Sequence, residues 1–216
     1  MELVPLGDAA YILRGFPGAG YQMRSALDGL CLPGVVSLNA AYDTVGVYVE
    51  PDEFNEEAFL RVAQTVSVEE SVGKTHVIKV CYELGEDLAE AASLCGLTAS
   101  ELIALHANRP YECFAIGFCP GFPYLGPLPE PLDQLPRRSV PRDRVPPGSV
   151  AIAAGQTGIY PLERPGGWHL IGRTPFTIVD EDAEYFPIVA GDRVVFEPIS
   201  EPEFRQLEGK RLDEDN

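Results

Sequence analysis

The run Gly117-Phe-Cys-Pro-Gly-Phe-Pro-Tyr-Leu-Gly126 lies in the most unusual segment of this 216-residue sequence. Ten of the chain's 20 prolines fall between Pro110 and Pro147, and proline can neither donate to a strand ladder nor continue a helix. The segment also carries aromatic side chains that make it too apolar for a disordered linker. We therefore predict an ordered aromatic loop without regular sheet or helix, and long ordered loops usually serve a function.

The regions on either side of this loop predict an α+β chain. Residues 1–80 read as a small α/β domain, with a hairpin over Val35–Val49, a helix capped by Asp52 and a strand over His76–Tyr82. Residues 81–205 contain a helical pair, in which Thr98 opens a capping box. After the loop come short β runs, Phe176–Val179 among them, whose spacing fits a small antiparallel barrel or sandwich. Residues 206–216 read as a charged tail.

The charge of the chain narrows its choice of partners. The formal net charge is −17, which disfavours nucleic acid and anionic lipid surfaces. Six arginines and only two acidic residues nevertheless lie between Arg137 and Arg173. This positive segment is either an anion-binding surface or a set of arginines paired with acids from elsewhere in the chain.

The cysteines indicate a reducing compartment. There are five, without a CxxC motif or a Cys/His pairing at metal-ligand spacing, so we expect neither a disulfide framework nor a metal site. Buried inert thiols are favoured over nucleophiles at Cys113 and Cys119. We find no secretory signal and no apolar stretch approaching the ~20 residues of a membrane span, and we predict a cytoplasmic protein.

Three glycine-bearing segments, 117–126, 155–160 and 165–175, suggest a binding site. Glycine lets amide groups approach an anion closely, and neutral donors together with one fixed cation suit a carboxylate or a phosphate. The candidate binding residues are Tyr124, Gln156, Thr157, Tyr160 and Arg173, with Trp168 beside them. The alternative is that these glycines form turns of a barrel whose core the aromatic residues fill. No phosphate loop and no complete acid/base pair is visible.

Histidine adds one candidate catalytic residue. His106 lies on the predicted helix face beside the aromatic loop, where it could move a proton near neutral pH. The competing interpretation is a structural histidine bonded within the fold. The same two interpretations apply to His169, and we expect His76 to be structural.

Together these blocks resemble the 5-oxoprolinase B subunit family (PxpB), also called KipI or allophanate hydrolase subunit 1. The resemblance rests on Ala104-Leu-His106, the run 117–126, Val145-Pro-Pro-Gly-Ser-Val150, Gln156-Thr-Gly-Ile-Tyr-Pro161, Pro165-Gly-Gly-Trp168 and Ile171-Gly-Arg-Thr-Pro175. Residues 82–175 carry it, and it extends more weakly over the N-terminal 80 residues. Pro147 and Ala153-Ala154 depart from the family's pattern.

The resemblance implies a cyclophilin-like antiparallel β-barrel behind the smaller α/β domain. It also implies two partners, the A subunit of 5-oxoprolinase and its KipA-like C subunit. ATP is then the co-substrate that drives hydrolysis of 5-oxo-L-proline to L-glutamate. On this basis we expect a site shared between polypeptides and an isolated chain without activity. Two alternatives stay open: a KipI-type inhibitor of a sensor histidine kinase, and the carboxyltransferase-type half of a biotin-dependent urea carboxylase.

Overall fold

The computed structural model describes residues 1–68 and 73–212. The chain divides into two compact units, Met1–Gly73 and Lys74–Asn216. The boundary expected at residue 80 falls after a strand that the structure places in the second unit, because that strand pairs there with the last strand of the chain. Residues 213–216, the end of the predicted charged tail, lie outside the described residues.

Over residues 1–68, the first unit is a four-stranded antiparallel sheet with two helices. In space, the first strand of the chain lies beside the second, the second beside the fourth, and the fourth beside the third. Valines at alternate positions of the fourth strand are buried, and they form one core with Phe59 and Ala63 of the second helix. That helix is capped by Asn55, not by Asp52 as predicted, because the Asn55 side chain accepts from the backbone N–H of Ala58. The elements are β1 (Glu2–Pro5), β2 (Ala10–Arg14), α1 (Gly20–Asp28), β3 (Val35–Ala41), β4 (Thr44–Val49) and α2 (Glu56–Thr65).

Up to residue 212, where the described part of the chain ends, the second unit contains a larger sheet, a two-stranded ribbon and three helices. Its strands are β5 (Thr75–Val80), β6 (Pro110–Ile116), β7 (Pro123–Gly126), β8 (Arg142–Val145), β9 (Ser149–Ala153), β10 (Gln156–Ile159), β11 (Arg164–Gly166), β12 (His169–Arg173) and β13 (Arg193–Pro198). Its helices are α3 (Leu88–Leu94), α4 (Ala99–His106) and α5 (Glu201–Leu207), with short 3-10 turns at Tyr82–Leu84 and Leu132–Gln134.

The larger sheet has the order β5-β13-β6-β7-β10-β9-β12. This sheet differs in two ways from the closed antiparallel barrel that we expected. The β5–β13 pair is parallel, and the continuous ladder leaves β5 and β12 as edges. These edges approach each other at one antiparallel bridge, where Cys81 and Arg173 exchange backbone hydrogen bonds of 2.9 and 3.0 Å. The α+β class is confirmed, and the sheet is open apart from this bridge.

Helix α4 begins at the predicted capping box. The Thr98 hydroxyl accepts from the Glu101 backbone N–H, and the Glu101 carboxylate accepts from the Thr98 backbone N–H. Helices α3 and α4 bury Ala91, Ala92 and Leu102 in the core of the second unit. No single helix in the described ranges is long and apolar enough to cross a membrane. Only α3 and α4 together would meet that length and composition, across an 89° bend.

Three predictions about the second unit were wrong. The segment 110–147 is not an uninterrupted loop, because Pro110 and Pro123 open strands β6 and β7, a position where proline is tolerated. The run Phe176–Val179 is not a strand; its backbone forms one isolated bridge, from Thr177 to Arg211. Residues 206–212 are not simply a charged tail, because Leu207 and Leu212 are buried in the core.

Candidate functional site

His106 lies in the core of the second unit and is fully buried. Because the Thr157 hydroxyl donates to a backbone carbonyl, His106 Nε2 donates to Thr157 Oγ1 at 2.9 Å, and Nδ1 accepts from the Tyr82 hydroxyl at 2.7 Å. Thr157, itself fully buried, donates in turn to the Ala151 carbonyl at 3.1 Å. The imidazole also stacks on Phe196, with ring centroids 4.6 Å apart. Both ring nitrogens therefore have partners inside the protein.

This environment keeps His106 uncharged. Burial, with a smaller contribution from the charge of Arg109, lowers the pKa of His106 from 6.5 to about 3. The imidazole is therefore neutral, bonded at both nitrogens and inaccessible to solvent. The assignments of His106 as catalytic and of Thr157 as anion-binding stay predictions. The structure places both residues in the core, in the same hydrogen-bonded chain.

The run 117–126 builds an aromatic cluster beside this core. Phe122 is the centre of the cluster, and its ring lies edge-to-face against Tyr124, Tyr160 and Trp168 at centroid distances of 5.0, 5.1 and 5.7 Å. Such pairs stabilise a fold beyond the area that they bury. Gly166 is required here, because a Cβ at that position would collide with the Tyr160 hydroxyl.

Phe118 and Phe122 of this loop differ in their exposure to solvent. Phe122 is 2% exposed, whereas Phe118 is 56% exposed. Phe118 has a φ of +65°, and the Cys119 N–H donates to the Gly117 carbonyl across it at 2.7 Å. This is a γ-turn, which is rare and strained for a bulky residue. The fold therefore holds one phenylalanine outward at a conformational cost, which is typical of functional loops.

A pocket of about 170 Å³ opens beside the cluster. Phe118, Phe122, Tyr124, Tyr160 and Trp168 supply its aromatic walls, and Arg137, Arg138, Pro141, Gly166 and Gly167 complete them. We call it the aromatic pocket. Its volume is below the ~300 Å³ at which sites for drug-sized ligands begin, so it suits a small molecule. Burial is the main cause that raises the pKa of Tyr160, and it keeps the phenol protonated.

Arg137 gives the aromatic pocket a positive charge. It is exposed, and it makes no ion pair or hydrogen bond with any residue that the structure describes. Its charge acts on the Tyr160 phenol by lowering the pKa, against the stronger effect of burial. A small carboxylate entering the pocket would find this guanidinium unpaired. The sequence placed Arg137 in the arginine-rich segment but did not separate it from its neighbours.

Two neighbouring arginines are held by one buried carboxylate. Asp87 is 3% exposed and accepts from Arg138 at 2.7 Å, from Arg142 at 2.7 and 2.8 Å, and from the Leu170 N–H at 2.8 Å. Burial alone would raise the pKa of Asp87, but the Arg142 and Leu170 hydrogen bonds and the two arginine charges lower it overall. The alternative of internally paired arginines is therefore right for Arg138 and Arg142.

Arg173 lies apart from the aromatic pocket. It lines a separate cavity of about 320 Å³, which shares none of the aromatic pocket's lining residues. Gln156 opens strand β10, half buried, and lines neither cavity. The structure thus separates the six predicted residues. His106 and Thr157 are bonded to each other in the core, Tyr124 and Tyr160 line the aromatic pocket, Arg173 lines the other cavity, and Gln156 opens a strand. The anion site expected at the five binding positions stays a prediction.

The remaining candidates have structural surroundings. Cys113 and Cys119 are buried, and burial raises the pKa of Cys113 to about 12, which disfavours the thiolate. His76 bonds Asp192 at 2.9 Å, and His169 Nε2 donates to the Pro136 carbonyl at 3.0 Å. Over residues 1–68 and 73–212, no group of three His, Cys, Asp or Glu side chains could hold a metal ion.

Comparison with known proteins agrees with this fold. The family model described as "Carboxyltransferase domain, subdomain C and D" matches residues 18–188. A solved structure, that of TTHA0988, superposes with a TM-score of 0.80 at 36% identity, covering 89% of this chain and 41% of that chain. The chain thus spans about two-fifths of that larger protein.

Two curated bacterial proteins are similar over different lengths. The 5-oxoprolinase B subunit of Bacillus subtilis (strain 168) is 37% identical, over 94% of this chain and 95% of that protein. The 5-oxoprolinase B subunit of Escherichia coli O157:H7 is 50% identical over 54% of each. The chain therefore belongs to the carboxyltransferase subdomain C and D family, and within it to the 5-oxoprolinase B subunit group that its motifs resemble.

Proposed function

We propose that this chain is the B subunit of a cytoplasmic, multi-subunit 5-oxoprolinase that opens the lactam of 5-oxo-L-proline to L-glutamate with hydrolysis of ATP. The observation that carries the proposal is the aromatic pocket with Arg137 unpaired among the described residues. 5-Oxoproline is a small ring with one carboxylate. Its ring fits aromatic walls, and its carboxylate suits a charge-assisted hydrogen bond from a guanidinium. The shared name of the bacterial relatives supports the reaction.

We assign binding, and not the chemical step, to this polypeptide. A lactam is an unactivated amide, so transfer of the γ-phosphoryl group of ATP to its carbonyl oxygen would prepare the carbon for attack by water. That attack breaks the C–N bond and leaves an acyl phosphate, and a second water then releases phosphate and completes L-glutamate. The aromatic pocket is small, and its walls carry two arginines but no carboxylate that could act as a general base. We therefore place the ATP site and the acid/base groups on the two partners, the A subunit of the enzyme and its KipA-like C subunit.

We assign Phe118 to the contact with a partner polypeptide. The fold exposes its ring at the mouth of the aromatic pocket and holds its backbone in a strained turn. Exposed aromatic side chains beside a pocket commonly anchor a protein interface. A partner seated there would close the pocket over a bound substrate and exclude water from it. This arrangement supports the expectation that the isolated chain has no activity.

Reconstitution tests the proposal. The chain should be purified alone and together with its two candidate partners, and ATP hydrolysis measured with and without 5-oxoproline. We expect 5-oxoproline-dependent hydrolysis from the complex and none from the chain alone. Turnover by the single chain would contradict the shared site. Inhibition of a sensor histidine kinase, or urea-dependent consumption of carboxybiotin, without any 5-oxoproline-dependent ATP hydrolysis would instead support one of the two alternative functions.

A further inference from the structure

The Arg173 cavity, of about 320 Å³, is built from four separate segments of the second unit. They are 147–148, 161–163, 173–177 and 204–209. Backbone hydrogen bonds tie three of these segments together: the Thr174 N–H donates to the Gly148 carbonyl at 2.9 Å, and the Gly209 N–H donates to the Pro175 carbonyl at 3.0 Å. The cavity is therefore a fixed feature of the fold and not a gap beside a loose loop.

Arg173, Glu163 and Glu208 line this cavity without pairing with one another, and Glu163 forms an exposed ion pair with Arg144 at 3.5 Å. Arg173 uses its Nε to donate to the Pro147 carbonyl at 3.1 Å, and its guanidinium lies 5.8 Å from the ring centroid of Phe204. Its terminal N–H groups have no partner among residues 1–68 and 73–212, and no ion pair joins it to Glu163 or Glu208, which line the same cavity. A ligand that carries both charges would satisfy the two sides at once.

The charges and the apolar walls restrict the ligand. A nucleotide would bring several negative charges close to Glu163 and Glu208, where like charges repel. 5-Oxoproline offers a carboxylate to Arg173, but its lactam nitrogen carries no positive charge for the carboxylates. Phe176 and Phe204, with Leu162 and the prolines of the wall, favour an apolar group at the centre.

We propose that the Arg173 cavity binds a small zwitterionic α-amino acid with an apolar side chain. Arg173 holds the carboxylate, Glu208 holds the ammonium group with Glu163 beside it, and the side chain packs on Phe204 and Phe176. The site is independent of the aromatic pocket, because the two cavities have no lining residue in common. The chain thereby gains a second small-molecule site beyond its proposed substrate pocket.

Calorimetric titration of the purified chain tests the proposal without any activity measurement. The probes are L-leucine, L-valine and L-proline, each with the analogue that lacks the ammonium group (4-methylpentanoate, 3-methylbutanoate and cyclopentanecarboxylate). We expect saturable binding of at least one amino acid, and its analogue should bind about tenfold more weakly or worse because the ammonium contacts are lost. The proposal is overturned if none of the amino acids binds, if the analogue binds equally well, or if ATP competes for the cavity.

Variants locate the binding. Arg173→Gln should weaken the amino acid by about tenfold or more, and Glu208→Gln, at an exposed position that the fold does not need, should weaken it by about threefold or more. Arg137→Gln is the matched control, since it changes an arginine of the other pocket and should leave amino-acid affinity unchanged. Equal affinity in Arg173→Gln and wild type would overturn the proposal. Failure of 5-oxoproline turnover in the complex would leave this binding result intact.

Discussion

The His106 network and the aromatic pocket lie in the same unit and use the same sequence motifs. They differ in whether their polar groups have hydrogen-bond partners within the protein. In the network, both nitrogens of His106 and the hydroxyl of Thr157 have partners within the protein. In the pocket, Arg137 has none within the described chain, and Phe118 is strained and exposed. A polar residue in a motif is thus structural where the fold satisfies it, and it belongs to a binding site where the fold does not.

The largest effect should come from the buried side of the aromatic loop. Phe122→Ala removes the central ring of the cluster and leaves a cavity, so we expect a loss of about 3–5 kcal/mol in the free energy of unfolding. Urea unfolding of the isolated chain measures this loss. A loss below about 1 kcal/mol would show that Phe122 is a surface residue and that the cluster is not part of the core.

The internal network should be the next most sensitive. Thr157→Val keeps the shape of the side chain but removes the hydroxyl that accepts from His106, so the buried Nε2–H is left without a partner. We expect a loss of about 1–3 kcal/mol in the free energy of unfolding, without a change in the 5-oxoproline dependence of the assembled complex. If the variant instead raised KM at unchanged stability, the network would belong to the site.

The low pKa of His106 predicts a direction of pH dependence. The folded protein, with a pKa of about 3, binds fewer protons than the unfolded chain, where histidine titrates near 6.5. The free energy of unfolding should therefore be fully retained above about pH 6.5 and fall below it, by up to about 1.4 kcal/mol per pH unit from this group. The His106 ring signals of the folded protein should not titrate by NMR down to about pH 5. Titration near 6.5 would place His106 in contact with solvent.

The smallest effect on stability should come from Phe118. Phe118→Ala removes an exposed ring, and we expect the free energy of unfolding to change by less than about 0.5 kcal/mol. Co-purification with the KipA-like partner should nevertheless be weaker, because the variant removes the proposed interface anchor. Phe122→Ala is the contrasting variant in the same loop. Undiminished co-purification of Phe118→Ala would remove Phe118 from the interface.

Local features of the fold could be read from the sequence. The capping box at Thr98 and Glu101 was predicted and is confirmed, because its partners lie three residues apart. The cap of α2 was misplaced from Asn55 to Asp52, since both residue types cap helices and only the geometry distinguishes them. Prolines misled the prediction for 110–147, because Pro110 and Pro123 occupy first strand positions that need no ladder N–H.

The site was less predictable because its partners are distant in sequence. Asp87 holds Arg138 and Arg142 across more than 50 residues, and nothing in its local sequence shows this. His106 meets Thr157 across 51 residues, so two residues predicted for the site proved to satisfy each other. For the arginine-rich segment the sequence left both alternatives open, and only the structure separates Arg137 from the paired Arg138 and Arg142.

Arg137 offers the most direct test of the substrate site in the assembled complex. Replacing Arg137 with Gln removes the unpaired guanidinium from the aromatic pocket, and a charge-assisted hydrogen bond is worth about 1.5–3 kcal/mol. KM for 5-oxoproline should therefore rise by about tenfold or more, with kcat and the melting temperature little changed. Arg61→Gln, at an exposed arginine of helix α2 in the first unit, should leave both kinetic constants unchanged. An unchanged KM in an intact Arg137→Gln complex would contradict the assignment of the aromatic pocket as the substrate site.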